Sequence, residues 1–386
     1  MPATIEGLIG AVGEIASGWR AERAERQARR GLDQRDFDAL RDAGLLALVA
    51  PVEQGGLSQS LVSSARPTCE IYRLLGSADP SVALVSAMHP SVLSFWLASP
   101  DPSQPDWEEQ RRAVFASAVA GDQWGTITSE PGSGGDISRT RAAASPLDGN
   151  GALPGRPYGV TGDKHFGSGF GVNDLMVTTA IPEGETDPTI FVLDTRDRER
   201  SAGFKLLAEW DGMGMKATQS HAMRLDGAPS VRMAWGGRLD SVTRAAGPYV
   251  ASIFTAVVLG VLDEAVAVAR RQVSSKAGQL RPYEQVEWTR AEQDHWVAVQ
   301  AYEGALRAIE GGDGGVALHA ALRAKEAVAD LSEQTLLRLT RVIGGGTFSQ
   351  RSPFSHWFED VRALGFLRPP WGLAYDNLFA TSLEAG

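Results

Sequence analysis

Six histidines, one cysteine and a few runs rich in glycine and hydroxyl groups are the residues through which this 386-residue chain could do chemistry. The histidines, His89, His165, His221, His295, His319 and His356, include no His-x-x-x-His pair, so a metal-catalysed reaction has no ligand set to start from. Cys69 stands alone in an apolar helical pattern with Ile71 and Leu74. It can build neither an internal disulfide nor a thiolate metal site, and it reads as core. Gly132-Ser133-Gly134-Gly135 lies in a loop with no strand leading into a Gly-x-Ser-x-Gly elbow, which argues against a Ser-His-Asp hydrolase. No strand runs into a Gly-x-Gly-x-x-Gly helix start, which argues against a Rossmann nucleotide site. Hydroxyls gather instead at Thr128, Ser129 and Ser168 beside turn glycines, and Gly344, Gly345 and Gly346 follow a helical stretch. Such glycines let backbone N–H groups approach a phosphate, although as plain C-caps they would be unremarkable.

These runs need elements to hold them. From about Ile5 to Ala120 apolar residues recur at helical spacing, as in Leu8, Val12, Ile15 and Phe37, Leu40. The breaks are loop-like runs at Pro51–Gly56 and Ser99–Pro105, where proline and glycine cannot continue a helix. From Gly125 to Trp235 the pattern changes to short runs of Thr, Val, Ile and Phe, predicting strands at Gly125–Ser129, Leu175–Ile181, Thr189–Leu193 and Met223–Leu225. Helical periodicity then returns at Pro248–Val273, Tyr283–Ile309, Val316–Val342 and Ser352–Leu364, and four long amphipathic helices with short connections predict an antiparallel four-helix bundle. The fold expected is therefore α+β and mostly α, with a helical domain over 1–122, a small β-barrel or sheet domain over 123–236 and a four-helix bundle over 237–386.

Composition sets outer limits. With 43% hydrophobic and 22% charged residues the chain is of globular type, and a net charge of −10 with scattered basic residues argues against nucleic acid or an anionic membrane as partner. The arginines around Gln27–Arg30 alternate with Glu22 and Glu25 and read as a solvated helix face. The apolar stretch near Ala256–Leu262 is too short to span a bilayer and the N-terminus lacks a signal-like pattern, so a cytoplasmic location is expected.

The order of blocks and four local motifs resemble the acyl-CoA dehydrogenase superfamily over nearly the whole chain. Ile127-Thr-Ser-Glu-Pro-Gly-Ser-Gly-Gly-Asp136 resembles its T-E-P-x-x-G-S-D segment, with Ser129 at the threonine. Gly162-Asp-Lys-His-Phe-Gly-Ser-Gly169 resembles G-x-K-x-W-I-T-N-G, with Phe166 at the tryptophan and Ser168 at the threonine. Gly212–His221 resembles the L-G-M-R-x-T-x-T/S segment, so Thr218 and Ser220 could also face a flavin while Lys216 is solvated. Arg341–Arg362 resembles the Q-x-x-G-G-x-G segment and its R-D-x-R/K continuation, in which Asp360, Glu359 and Arg362 are expected to form helix-surface ion pairs. The resemblance implies a bound flavin, FAD or FMN. Thr128 and Ser129 would donate to the negative charge that reduction places at N1 and the C2 carbonyl. Phe166 and Ser168 would lie near N5, Gly344 and Gly345 would meet the cofactor of a neighbouring subunit, and Ser133 and Gly135 would meet the substrate. A homo-dimer or homo-tetramer is implied as well.

The departures from the family pattern decide the chemistry. An acyl-CoA dehydrogenase needs a carboxylate to remove the α-proton of its thioester substrate. Counting on from Gly344-Gly345 puts Arg368 at that position, and a guanidinium with a pKa above ~12 cannot take a proton. The first bundle helix, from Pro248, offers no acid until Asp263, and Arg270–Gly278 replaces the family's R-x-x-F-G turn, leaving Arg271 or Lys276 to reach a pyrophosphate. Together these features resemble the branch that takes reduced flavin from a separate reductase and oxygenates small organic substrates. Such an enzyme needs a dry pocket and a donor near the bound oxygen, for which His89 and Arg368 are the candidates. Two other readings follow from the same residues: a dehydrogenase of acyl-CoA or carrier-protein thioesters with a relocated base and its own electron acceptor, and a non-catalytic flavin-binding scaffold.

Overall fold

The structure, a computed structural model, describes residues 4–197, 203–235 and 238–383. Six helices come first: α1 (Ile5–Ala21), α2 (Arg23–Ala28), α3 (Gln34–Asp42), α4 (Leu61–Ala78), α5 (Pro80–Ala98) and α6 (Trp107–Ala120). Their starts follow local chemistry. Thr4 caps α1 by accepting from Gly7 N, and Asp79 caps α5 by accepting from Val82 N, with Pro80 at the first helical position.

Seven strands follow: β1 (Trp124–Thr126), β2 (Ala143–Pro146), β3 (Pro157–Gly167), β4 (Leu175–Pro182), β5 (Thr189–Asp194), β6 (Phe204–Ala208) and β7 (His221–Arg232). They run in the order β1-β4-β2-β3-β7-β5, and β5 pairs back onto β4, which closes a small barrel; β6 extends it beyond β7. Val160, Met176, Phe191 and Leu225 fill its interior.

The chain then returns to helix in α7 (Leu239–Ser274), α8 (Pro282–Glu310), α9 (Gly314–Ile343), α10 (Pro353–Val361) and α11 (Trp371–Ser382). Three of these are long. The fourth helix expected over Ser352–Leu364 is instead the 9-residue α10, followed by a 3-10 turn and Pro369-Pro370, after which α11 starts in a new direction. Pro370 stands immediately before the first residue of α11, where a missing backbone donor costs the helix nothing.

Helix α7 packs against α4, α5 and α9 and buries more residues than any other element described. Two glycines make its crossing with α4 possible. A Cβ on Gly76 would lie 2.1 Å from Val257 O, and one on Gly260 would lie 2.0 Å from Arg73 O. By length and composition α5 and α7 could each cross a membrane, a longer apolar reach than the stretch around Ala256–Leu262 suggests, but 83% and 78% of their apolar windows are buried inside the fold. Burial on every side is what makes a globular-protein helix apolar all round.

Two expected surface features prove to be interior. Arg26 is buried rather than solvated: it donates to both carboxylate oxygens of Asp36, at 3.1 and 2.8 Å, and to Asp79 at 2.8 Å, tying α2 to α3 and α5. Asp360 makes no surface ion pair. It is buried and accepts from Met215 N at 2.7 Å, and burial pushes its carboxyl up to about 7. Its neighbour Glu359 pairs with Lys216 at 2.6 Å, so Lys216 is not simply solvated. Cys69 lies in the core as expected, where burial pushes its thiol up to about 12.

Candidate active site

A cavity of about 440 Å³ opens between the barrel and the helices. Met88, Val92 and Phe95 reach it from one face of α5 at i, i+4 and i+7, and Val250 and Phe254 reach it from one face of α7 at i and i+4. The barrel contributes Thr128 and Thr179, and the segment before α11 contributes Arg368, Pro369 and Pro370. Asp240, Arg244 and Asp376 stand exposed around the rim.

Arg368 organises the barrel side. Its Nη2 donates to Thr128 Oγ1 at 2.6 Å and to Ser129 Oγ at 2.8 Å, and its Nη1 donates to the Gly135 carbonyl. Both hydroxyl oxygens accept from the guanidinium, so each keeps its own proton to donate elsewhere. Burial pulls the guanidinium down to about 10, which leaves it charged at neutral pH. Among the described residues no carboxylate pairs with it directly. Asp136 acts on it only at longer range, with Oδ1 already held by Ser138 N at 2.9 Å and Ser138 Oγ at 2.6 Å. Gly135 explains how the tail comes so close: at φ +83° a Cβ there would lie 2.5 Å from Pro370 Cγ.

Behind Arg368 sits a closed ion pair. Lys164 Nζ donates to Glu130 Oε1 at 2.6 Å and to Thr179 O at 2.7 Å, and Glu130 also accepts from Arg141 N at 2.7 Å and from Thr140 Oγ1. Burial pushes the Glu130 carboxyl up, but the donors from Lys164, Thr140 and Arg141 outweigh it and hold the group below its usual range. The Glu130 charge is therefore spent on Lys164.

His89 departs from the expectation. It is 1% exposed and does not line the cavity. Trp124 N donates to its Nδ1 at 3.1 Å, so its proton sits on Nε2 and is given to Leu46 O at 2.8 Å. Burial pulls its pKa down to about 4. With both nitrogens occupied, this neutral ring braces α5 against β1 and has no proton to offer a reacting group.

The other expected residues divide. Ser133 is buried inside its own turn, donating to Glu130 O at 3.0 Å and accepting from Gly135 N at 3.2 Å. Ser168 and Ser220 lie 2.7 Å apart, as do Ser220 and Thr218, and Thr218 donates to Met215 O at 2.8 Å. The single proton of each hydroxyl must therefore run from Ser168 to Met215, leaving Ser168 as an acceptor only. Phe166 is 59% exposed with φ 57°, edge-on to Trp210 at 6.2 Å between ring centroids. Gly344 has φ 103° and opens onto space with Gly345, beside Phe348, which is 95% exposed. Lys276 donates to Val342 O at 3.1 Å and to Ile343 O at 3.4 Å, satisfying carbonyls at the end of α9. Sequence reasoning did not single out the cavity residues of α5 and α7, because helices apolar on all sides give no signal of which face meets a void.

No family model matches the chain. Dibenzothiophene monooxygenase of Mycolicibacterium goodii is 26% identical over 333 residues, covering 82% of this chain and 72% of that one. The probable FMNH2-dependent monooxygenase SfnC of Pseudomonas putida is 25% identical over 267 residues, 67% of this chain and 60% of that one. A putative acyl-CoA dehydrogenase, YdbM of Bacillus subtilis (strain 168), is 24% identical and covers 93% and 92%. Among solved structures, FMN-bound TdsC from Paenibacillus sp. A11-2 superposes with a TM-score of 0.81 at 21% identity, covering 98% of each chain. The fold is therefore acyl-CoA dehydrogenase-like. Within this fold, Thr128, Gly135 and Arg368 line the cavity, Ser129 is joined to it through Arg368, and His89, Ser133 and Ser168 are turned to internal bonds.

Proposed function

We propose that the chain is a flavin-dependent monooxygenase that accepts reduced flavin, FMN or FAD, and transfers one atom of O2 to a small organic substrate. The observation that carries this reading is Arg368. At the place where the resemblance puts a catalytic carboxylate, the cavity wall holds a charged guanidinium that can take no proton.

The residues present fit a flavin. Ser129 holds an unspent hydroxyl proton beside a positive charge, the kind of donor that a reduced isoalloxazine calls for. Phe166 and Trp210 offer an exposed aromatic edge for a planar ring. When bound, reduced flavin supplies two electrons to O2, one oxygen atom passing to substrate and the other leaving as water. For their part, Met88, Val92, Val250 and Phe254 keep water from the reacting atoms, and Arg368 holds Ser129 as a donor. We place the enzyme in the cytoplasm, supplied by a separate flavin reductase, and as a homo-oligomer in which Gly344 and Gly345 meet a neighbouring subunit.

A thioester dehydrogenase would need a base among the wall carboxylates. Asp136 is tied to Ser138, and Asp240 and Asp376 are exposed at the rim, where water competes for any proton they would take. The deciding experiment is to mix protein with FMN reduced under anaerobic conditions, add O2, and follow absorbance by stopped flow. A transient species distinct from reduced and oxidised flavin supports the monooxygenase. Direct appearance of oxidised flavin, together with bleaching of bound oxidised flavin by acyl-CoA thioesters, would replace it with the dehydrogenase.

A further inference from the structure

We propose that the substrate of this cavity carries an anionic group, a carboxylate or similar oxyanion, on an apolar body, and that Arg368 and the Thr128 hydroxyl receive it. The proposal deepens the monooxygenase reading, but it is argued from binding and tested without turnover.

The argument begins with an uncompensated charge. Arg368 is drawn into the cavity wall, and its three internal bonds go to a carbonyl and two hydroxyls, all neutral. A buried charge is ordinarily paired, because neutral acceptors recover only part of its lost hydration. The carboxylate that could have paired with it, Glu130, is fully engaged by Lys164. Lys164 is itself a cation near enough to act on Arg368, and Asp136 acts on it only at longer range, so the guanidinium is left without a carboxylate in direct contact. Asp136 is held in its own turn, and Asp240 and Asp376 are exposed at the rim, where solvent and salt screen them.

The donors also converge. With one lone pair of Thr128 Oγ1 occupied by the guanidinium, the Thr128 proton is left to donate, and Thr128 lines the cavity. A guanidinium edge beside a polarised hydroxyl matches the oxygen pair of a carboxylate. Across the cavity, Val92, Phe95, Val250 and Phe254 from two helices give an apolar wall. A ligand that fills this volume lays hydrocarbon on the helices and meets Arg368 on the barrel side.

The test compares 2-naphthoate with 2-naphthamide, which match in size and differ in charge, by isothermal titration of the protein with and without saturating FMN. Naphthoate is expected to bind about 10-fold or more tightly than naphthamide in both states, in line with a charge-assisted hydrogen bond. Arg368→Gln should bring the two ligands within about 2-fold of each other, and Arg368→Lys should keep part of the preference, which separates lost charge from a loosened tail. Equal binding of the two ligands to the unsubstituted protein, or a preference that survives Arg368→Gln, overturns the proposal. So does a preference that disappears once FMN is bound, because FMN would then be the anion that Arg368 serves. Thr243→Trp, at the cavity wall, should block both ligands. If it blocks neither, the ligands bind elsewhere and the cavity is not the site, a failure of the functional reading itself rather than of the charge argument.

Discussion

At the scale of single residues, two buried titratable groups set opposite edges on the pH range of stability. His89 is neutral in the fold, with its pKa pulled down to about 4 by burial from an ordinary 6.5. Its contribution is present above about 6.5 and lost as pH falls through 4. Asp360 is the reverse case, pushed up to about 7 from an ordinary 3.8. Its contribution is full below about 4 and is lost as pH rises through 7. Asp360→Asn keeps an oxygen for Met215 N but cannot ionise, so it should flatten the fall in stability between pH 5 and pH 8 by a few kcal/mol. Urea unfolding at those two pH values measures this, and an unchanged slope in the variant would assign the fall to other groups. Ser129→Ala removes one of the two hydroxyls held by Arg368 and should weaken reduced-FMN binding by about 10-fold, read by anaerobic fluorescence titration, with little effect on oxidised FMN.

At the scale of elements, the crossing of α4 and α7 and the position of α11 make different demands. Gly260 lies against the Arg73 carbonyl, and Gly260→Val would drive a branched side chain into backbone. A loss of about 3 kcal/mol or more is expected in chemical denaturation, because neither helix can retreat without opening the core. Helix α11 buries only Ala374, yet its first turn closes one side of the cavity. A chain ending at Pro370 should therefore keep its far-ultraviolet circular dichroism while losing water exclusion. The expected result is more hydrogen peroxide released per flavin oxidised, and unchanged peroxide yield would show that α11 does not seal the site.

At the scale of the whole molecule, large apolar side chains are left uncovered on the C-terminal helices and the loop after α9. Phe348 is 95% exposed, Phe379 69% and Trp296 62%, more than scattered surface residues usually show. These positions are expected to be covered by further copies of the chain. Light scattering coupled to gel filtration should give a multiple of 41.1 kDa, and Phe348→Asp should shift it toward the single chain. A single-chain mass for the unsubstituted protein would remove the subunit contact assigned to Gly344 and Gly345.

Much of this architecture is written in local pattern. Helical periodicity, the change to short Thr- and Val-rich runs near Gly125, and the isolation of Cys69 follow from neighbours a few residues apart, and so does the run of motifs that resembles a flavoenzyme fold. That position 368 holds no base also follows from residue type alone. Tertiary structure decided the rest, because it depends on groups far apart in the chain. Arg368 meets Thr128 across 240 residues, and nothing near either one signals the other. His89 looked free to give a proton until Leu46 and Trp124 closed on both its nitrogens. Asp360 looked like a surface acid until the loop carrying Met215 folded over it. The fourth bundle helix ended at Val361 and gave way to a 3-10 turn, and the segment after it brings the guanidinium to the cavity. Local sequence sets which conformation a segment prefers, whereas the protonation and exposure of a side chain depend on which distant atoms displace its water.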